Sequence, residues 1–354
     1  MKIPRRPPAP SIANHSQELL ERAILVEGPL VRGKYPHYDK LLHYSPPAGM
    51  NHDEWWAALK FNRRAQYRKL PLKDPDGNPF QFLLFDSMLK ILHEIDLTAG
   101  AEVQFSDSIA NPNTRDRYYV NSLIEEAVTS SQLEGATTTR LIAKEMIRTG
   151  RRPRDKSEQM ILNNFLTMRR IGEIKEETLT KELVLEIHRM VTEETLEDPT
   201  AAGRFRHAAE NVVVADDYDT VFHNPPAAQE LEGRMEAMCD FANATDEPVF
   251  IHPVIRSIIL HFWLAYDHPF VDGNGRTARA LFYWSMLHHG FWLFEFVSIS
   301  RLLKNAPAQY GKAFLYTETD DNDLTYFLVH QLEIIQRSIE DLHTYLQKKT
   351  EETL

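Results

Sequence analysis

The sequence predicts a mainly α-helical protein with one small β-hairpin. Two observations predict it. From about residue 116 onward, apolar residues recur at helical spacing in segment after segment. Residues 211–223 alone switch to a β-branched run, an Asp-Asp-Tyr-Asp turn and a second β-prone piece. The elements follow in order. The first 50 residues, rich in Pro, Tyr and His, read as an extended arm packed on something else. Residues 53–70 have helical spacing at Trp56, Leu59 and Ala65. Residues 74–80 are a Pro-Asp-Gly turn, and a helix follows near 81–95. Residues 117–135 put Val120, Leu123, Ile124, Ala127 and Val128 on one stripe, with Gly135 placed to end the helix. Helices follow over 157–174 and 180–196. After the hairpin, Asn224-Pro225-Pro226 starts a helix through Phe241. Further helices cover 253–267, 277–290 and 324–349. The chain divides into an N-terminal arm and helical region (1–115), a core (116–290) and a C-terminal helical region (291–354).

The bulk numbers exclude several classes. The 354 residues are 43% hydrophobic and 26% charged, ordinary values for a soluble globular protein. A net charge of −11 speaks against a non-specific grip on nucleic acid. Cys239 is the single cysteine, so no intrachain disulfide forms, and it reads as a small buried hydrophobe. The N-terminus lacks a signal-peptide apolar region, and no stretch is apolar enough to span a membrane. A cytoplasmic location is the simplest expectation.

The informative segment is HPFVDGNGRTAR, residues 268–279. Pro269 discourages helix at His268, so the preceding helix stops there. Gly273-Asn274-Gly275 can expose successive backbone N–H groups, and a helix starts immediately after. That arrangement suits phosphate. Arg276 and Arg279 share a helix face and add positive charge. Asp272 is a hard oxygen ligand for Mg²⁺. His268 can act as a base. A phosphate cradle, a metal ligand and a base are the parts of phosphoryl or nucleotidyl transfer. Taken singly, each feature is more often a helix stop, a turn or a solvated face; their combination is not.

The segment resembles the Fic motif, HPFx[D/E]GNGRxxR, at all nine defined positions. The resemblance covers about 116–290 and implies a Fic-type helical bundle whose hairpin, 211–223, is a flap. It implies a protein adenylyltransferase that moves AMP from ATP to a Ser, Thr or Tyr hydroxyl of a protein, with Mg²⁺ or Mn²⁺. By that likeness His268 is the base and Asp272 holds the metal. Gly273, Asn274 and Gly275 form the anion hole, Arg276 and Arg279 bind phosphates, and Phe270 is a buried anchor. Val212, Val213 and Val214 of the flap would pair with the target segment. Ser130, Glu134 and Gly135 match the family's inhibitory motif, [S/T]xxxE[G/N], just before the core. The resemblance then implies that Glu134 pairs with Arg279 and holds ATP out of line, with self-modification once the pair opens. Asn305 and Tyr310 lie in the family's nucleotide-base region, where Tyr310-Gly311 departs from the usual paired tyrosines. A homodimer is also among the family's forms, and no residue here decides it.

Other readings remain beside this one: the same fold removing AMP or using another nucleotide, a non-catalytic binding protein on a decayed fold, and a DNA-binding regulator. Intact His268 and Asp272 oppose the second. The acidic balance opposes the third. His188, His207, His223, His252 and His261 lack metal-ligand spacing and read as packing or surface residues. No Walker motif occurs.

Overall fold

A computed structural model describes residues 2–8, 26, 28–100, 112–216, 218–244 and 249–351. Parts of the N-terminal arm, and Asp217 of the flap, lie outside the described residues. The chain forms two compact units, Met1–Asp86 with Ala308–His330, and Ser87–Pro307 with Gln331–Leu354.

The first unit contains α1 (Tyr38–Leu41), α2 (His52–Arg64), and an antiparallel pair β1 (Arg68–Lys73) and β2 (Pro79–Phe82). Asn51 starts α2 with a capping box to Glu54. Its apolar face buries Trp55, Trp56 and Leu59 against Tyr38, Leu41 and Val31. The helical spacing over 53–70 thus ends at Arg64, and the chain becomes a strand. Leu70 and Leu72 alternate inward in it, and Pro71 between them cannot serve a helix. This second hairpin was not expected, because its apolar run is short. The arm is held by Arg63, whose buried guanidinium donates to the carbonyls of Pro29 (3.1 Å) and Pro36 (3.0 Å). The Tyr35 and Tyr67 hydroxyls both donate to Asp323, each at 2.6 Å. A proline-rich arm offers carbonyls without matching N–H groups, so a buried arginine suits it.

The second unit is helical, with one more hairpin. Its elements are α3 (Asp86–Ile95), α4 (Pro112–Leu133), α5 (Arg140–Thr149), α6 (Lys156–Glu173), α7 (Lys181–Thr192), β3 (Val214–Ala215), β4 (Val221–His223), α8 (Leu231–Asn243), α9 (Pro253–Asp267), α10 (Asn274–His288) and α11 (Ser300–Asn305). Then α12 (Pro307–Thr319) and α13 (Thr325–Glu351) follow in sequence. The expected helices recur with shifted ends, and α5, α11 and α12 are additional. The helix expected from Asn224 begins only at Leu231, after a 3₁₀ turn at Ala228–Glu230. Nearly every residue of α9 and α10 is buried; α9 is apolar on most faces, whereas α10 also buries Arg276 and Arg279 in its first turns. These two pack on each other, α10 also touches α6 and α7, and α4 lies on α6 and α11. No helix among the described residues is long and apolar enough to cross a membrane.

One buried carboxylate pins α4. Glu126 is 2% exposed and accepts from Tyr283 Oη (2.8 Å), Ser298 Oγ (2.8 Å), the Ser300 amide (3.2 Å) and the Ser300 hydroxyl. It joins α4 to α10 and to the start of α11. Replacing Glu126 with Ala leaves those buried donors without their acceptor, an expected loss of about 2–4 kcal/mol. Denaturant unfolding of wild type and Glu126→Ala measures it; an unchanged midpoint would show that the hub holds nothing.

Candidate active site

The site is the reversal between α9 and α10. His268 ends α9 in the left-handed region (φ 45, ψ 54), its amide still bonded to Leu264 O at 3.0 Å. A non-glycine residue there carries about 1–3 kcal/mol of strain, so its surroundings must impose it. They do. Arg206 Nε donates to His268 O at 2.8 Å, and the Arg206 amide donates to Pro269 O at 2.8 Å. The guanidinium also reaches Pro226 O. Asn274 closes the turn from the other side: its Oδ1 accepts from the Phe270 amide (3.0 Å) and its Nδ2 donates to Phe270 O (2.8 Å). The Asn274 side chain is therefore spent on the loop, and its backbone is what remains for an anion. Phe270 is fully buried. In the sequence Arg206 stands out only as part of Gly203-Arg204-Phe205-Arg206, a segment that supports the flap resemblance; an arginine near a hairpin gives no sign that it clamps a turn far along the chain.

His268 Nδ1 lies 3.3 Å from Ala265 O. A carbonyl can only accept, so Nδ1 carries the proton and Nε2 keeps its lone pair. Burial pushes the imidazole down to about 4, with His223 and Arg206 adding to the effect and Glu134 opposing it. At neutral pH the ring is an uncharged base.

The N-terminus of α10 faces the same space, and its first N–H groups have no acceptor within the helix. Two glycines here sit in close quarters. Gly273 has φ +83, and a Cβ on it would meet Thr192 Cγ2 at 2.6 Å. A Cβ on Gly275 would meet Glu134 Oε1 at 2.1 Å. Arg276 is 1% exposed; Nη1 donates to Val191 O at 2.6 Å and Nη2 lies 3.4 Å from Asp272 Oδ1. Its buried Nε has no hydrogen-bond partner. A buried cation with an unused donor suits an anionic ligand. Asp272 Oδ1 also accepts from the Gly273 amide.

The structure places Glu134 at this site. Helix α4 ends with Ala136 N donating to Ser131 O (3.0 Å) and Gly135 N to Gln132 O (3.2 Å), and Gly135 has φ 91. This is a Schellman termination, and it turns the chain sharply at Glu134. Glu134 Oε1 accepts from Arg279 Nη2 at 2.8 Å. Ser130 takes the rest of that guanidinium, with Nε donating to its hydroxyl (2.8 Å) and Nη2 to its carbonyl (3.0 Å). Arg279 is almost wholly buried, and the Glu134 side chain is 30% exposed. A partly buried pair of this kind contributes about 1.5–3 kcal/mol.

The flap is shorter than its sequence span. Val214 lies in β3, whereas Val212 and Val213 precede it without strand pairing; Val213 is 45% exposed. His223 anchors β4 by donating from Nε2 to Tyr266 O at 2.7 Å. Asn305 ends α11 in the second unit, while Tyr310 belongs to the first, among Phe314, Phe327 and His330. Among the described residues, no group of three or more His, Cys, Asp or Glu forms a metal site by itself.

Comparison with known proteins converges on the same segment. Residues 178–286 match the Fic/DOC family. The chain is 39% identical over 117 residues to protein adenylyltransferase Fic of Nematostella vectensis, covering 33% of this chain and 25% of that protein. It is 26% identical over 216 residues to protein adenylyltransferase fic-1 of Caenorhabditis briggsae, covering 60% and 40%. Its fold is similar to that of a Fic family protein from Desulfovibrio desulfuricans, with TM-score 0.60, 20% identity, and 74% of this chain and 75% of that one covered. The chain thus spans between 25% and 40% of the length of these two curated relatives.

The His268 environment predicts a pH effect. Its folded value of about 4 lies below the ordinary 6.5, so between them the native state binds fewer protons than the unfolded chain. Its contribution to stability is complete above 6.5 and is lost as pH falls toward 4. Histidine NMR titration should place the His268 midpoint near 4; a midpoint at the ordinary value would overturn the buried-base geometry.

Proposed function

We propose that this chain, whose residues 178–286 form a Fic domain, is a self-inhibited protein adenylyltransferase. It transfers AMP from ATP to a Ser, Thr or Tyr hydroxyl of a protein and releases pyrophosphate. The observation that carries this reading is one loop holding an uncharged, half-buried imidazole beside a helix N-terminus and a buried arginine with an unused donor.

In the reaction His268 Nε2 takes the proton of the target hydroxyl. The hydroxyl oxygen bonds to the α-phosphorus, and the α–β bridging bond breaks. The amides of Asn274 and Gly275 and the Arg276 guanidinium meet the charge that builds on phosphate oxygens. Asp272 would hold Mg²⁺ or Mn²⁺; its carboxylate is 45% exposed, a hard donor with an open face, which fits an ion sharing phosphate and water ligands. Bound there, such an ion would supply positive charge that offsets the charge of the phosphates. The target enters as an added strand along Val212, Val213 and Val214. Phosphates that would meet Arg279 find it already occupied by Glu134 and Ser130.

The strength of that pair fixes the expected size of the effect. A contribution of about 1.5–3 kcal/mol shifts the open population about tenfold to a hundredfold. Transfer from ATP labelled on its α-phosphate should therefore rise about tenfold to a hundredfold in Glu134→Gly. It should vanish when His268→Ala is added. Equal labelling of wild type and Glu134→Gly would remove the inhibition; labelling that survives His268→Ala would remove the base. Absence of label from ATP, with label from another triphosphate, would keep the fold's chemistry and change its substrate.

A further inference from the structure

The helix behind the loop makes contacts that the transfer chemistry above does not use. In its last turns α7 presents His188, Val191 and Thr192 to residues 270–276. Val191 O receives Arg276, and Thr192 leaves room only for glycine at 273. His188 does more than fill space. Its ring is fully buried and lies flat on Phe270, with centroids 3.6 Å apart and planes at 5°. Nδ1 accepts from the Gly203 amide at 3.0 Å. An accepting Nδ1 puts the ring proton on Nε2, which donates to Asp272 O at 3.0 Å. Gly203 stands in the segment that leads through Arg206 to the flap, with φ +74. One neutral imidazole thus joins that segment, the buried anchor of the loop and the peptide that carries Asp272.

The consequence lies in the Asp272–Gly273 peptide plane. Its carbonyl is held by His188, and its N–H donates to Asp272 Oδ1. Rotating that plane would swing the N–H that orients the carboxylate. A group fixing the orientation of a candidate metal ligand through its backbone acts as an outer partner does in established metal sites. Packing alone would not explain both ring nitrogens being engaged, since Leu or Met would fill the space under Phe270.

We propose that His188 is a positioning residue for nucleotidyl transfer. It holds the Asp272–Gly273 peptide so that the Asp272 carboxylate faces the phosphate site, and it ties that peptide to the lead-in of the flap. The kinetic consequence rests on the transfer reading above; the tether itself does not.

Two substitutions separate the nitrogens. In His188→Gln the amide nitrogen falls near the position of Nε2 and can still donate to Asp272 O. In His188→Asn the amide oxygen falls near Nδ1 and can still accept from Gly203. Each is made in the full chain carrying Glu134→Gly, beside His188→Ala, and thermal unfolding confirms that each folds. Amide hydrogen exchange is read first. Exchange at Gly273 should rise in His188→Ala and His188→Asn and stay slow in His188→Gln, whereas Gly203 should be protected by Asn alone. Transfer kinetics are read second. His188→Ala should lower kcat about tenfold to a hundredfold, with KM for ATP changed less than about threefold. His188→Gln should recover most of that loss and His188→Asn should not. A full rate in His188→Ala, equal losses in Gln and Ala, or a loss confined to KM would overturn the proposal. If the Glu134→Gly parent transfers no label, the transfer reading fails, and exchange at Gly273 still decides whether His188 holds the Asp272 peptide.

Discussion

The left-handed turn at His268 is the constraint on which the second unit depends. It lets two almost wholly buried helices, α9 and α10, reverse direction over a few residues. A helix can end this way at low cost with glycine; here a histidine occupies the place, and the strain is held by contacts from outside. Arg206 takes the carbonyls at the turn, and Asn274 closes it. The same geometry half-buries the imidazole, depresses its proton affinity and leaves Nε2 free. Strain, burial and basicity are one feature seen three ways.

A second theme is the use of neutral donors and carbonyls around buried charges. Glu126 is satisfied by hydroxyls and an amide, and Arg63 by carbonyls of the arm. Such arrangements give little net energy over an apolar core, yet they are costly to misalign. They therefore specify position. Glu126 sets where α4 lies on α10, and two turns later the Schellman ending delivers Glu134 to Arg279. The strength of the Glu134–Arg279 pair is thereby tied to packing well removed from it.

Glycine spacing in the loop follows from both sides of the site. Gly273 is needed because of its φ and because Thr192 crowds it from α7. At Gly275 the crowding comes from the carboxylate of Glu134, which leans over it from α4. The proposed lock, Glu134, lies against Gly275 of the proposed anion cradle, which is a physical reason for one to exclude the other.

The sequence by itself determined the helical class, the order of the main helices, the hairpin before Pro225-Pro226 and the loop residues His268 to Arg279. Those follow from periodicity and from a contiguous motif, both local properties of the chain. It did not show β1 and β2, where a short alternation at Leu70 and Leu72 looked like the end of a helix, nor α5, which follows closely on the α4 ending. Tertiary structure alone decided that Arg206 clamps His268, that His188 faces Asp272 rather than simply packing, that the Asn274 side chain serves the loop, and that Ser130 shares Arg279 with Glu134. These contacts join residues far apart in sequence. Which of two buried nitrogens finds which carbonyl depends on how helices pack in three dimensions, and no local pattern carries that.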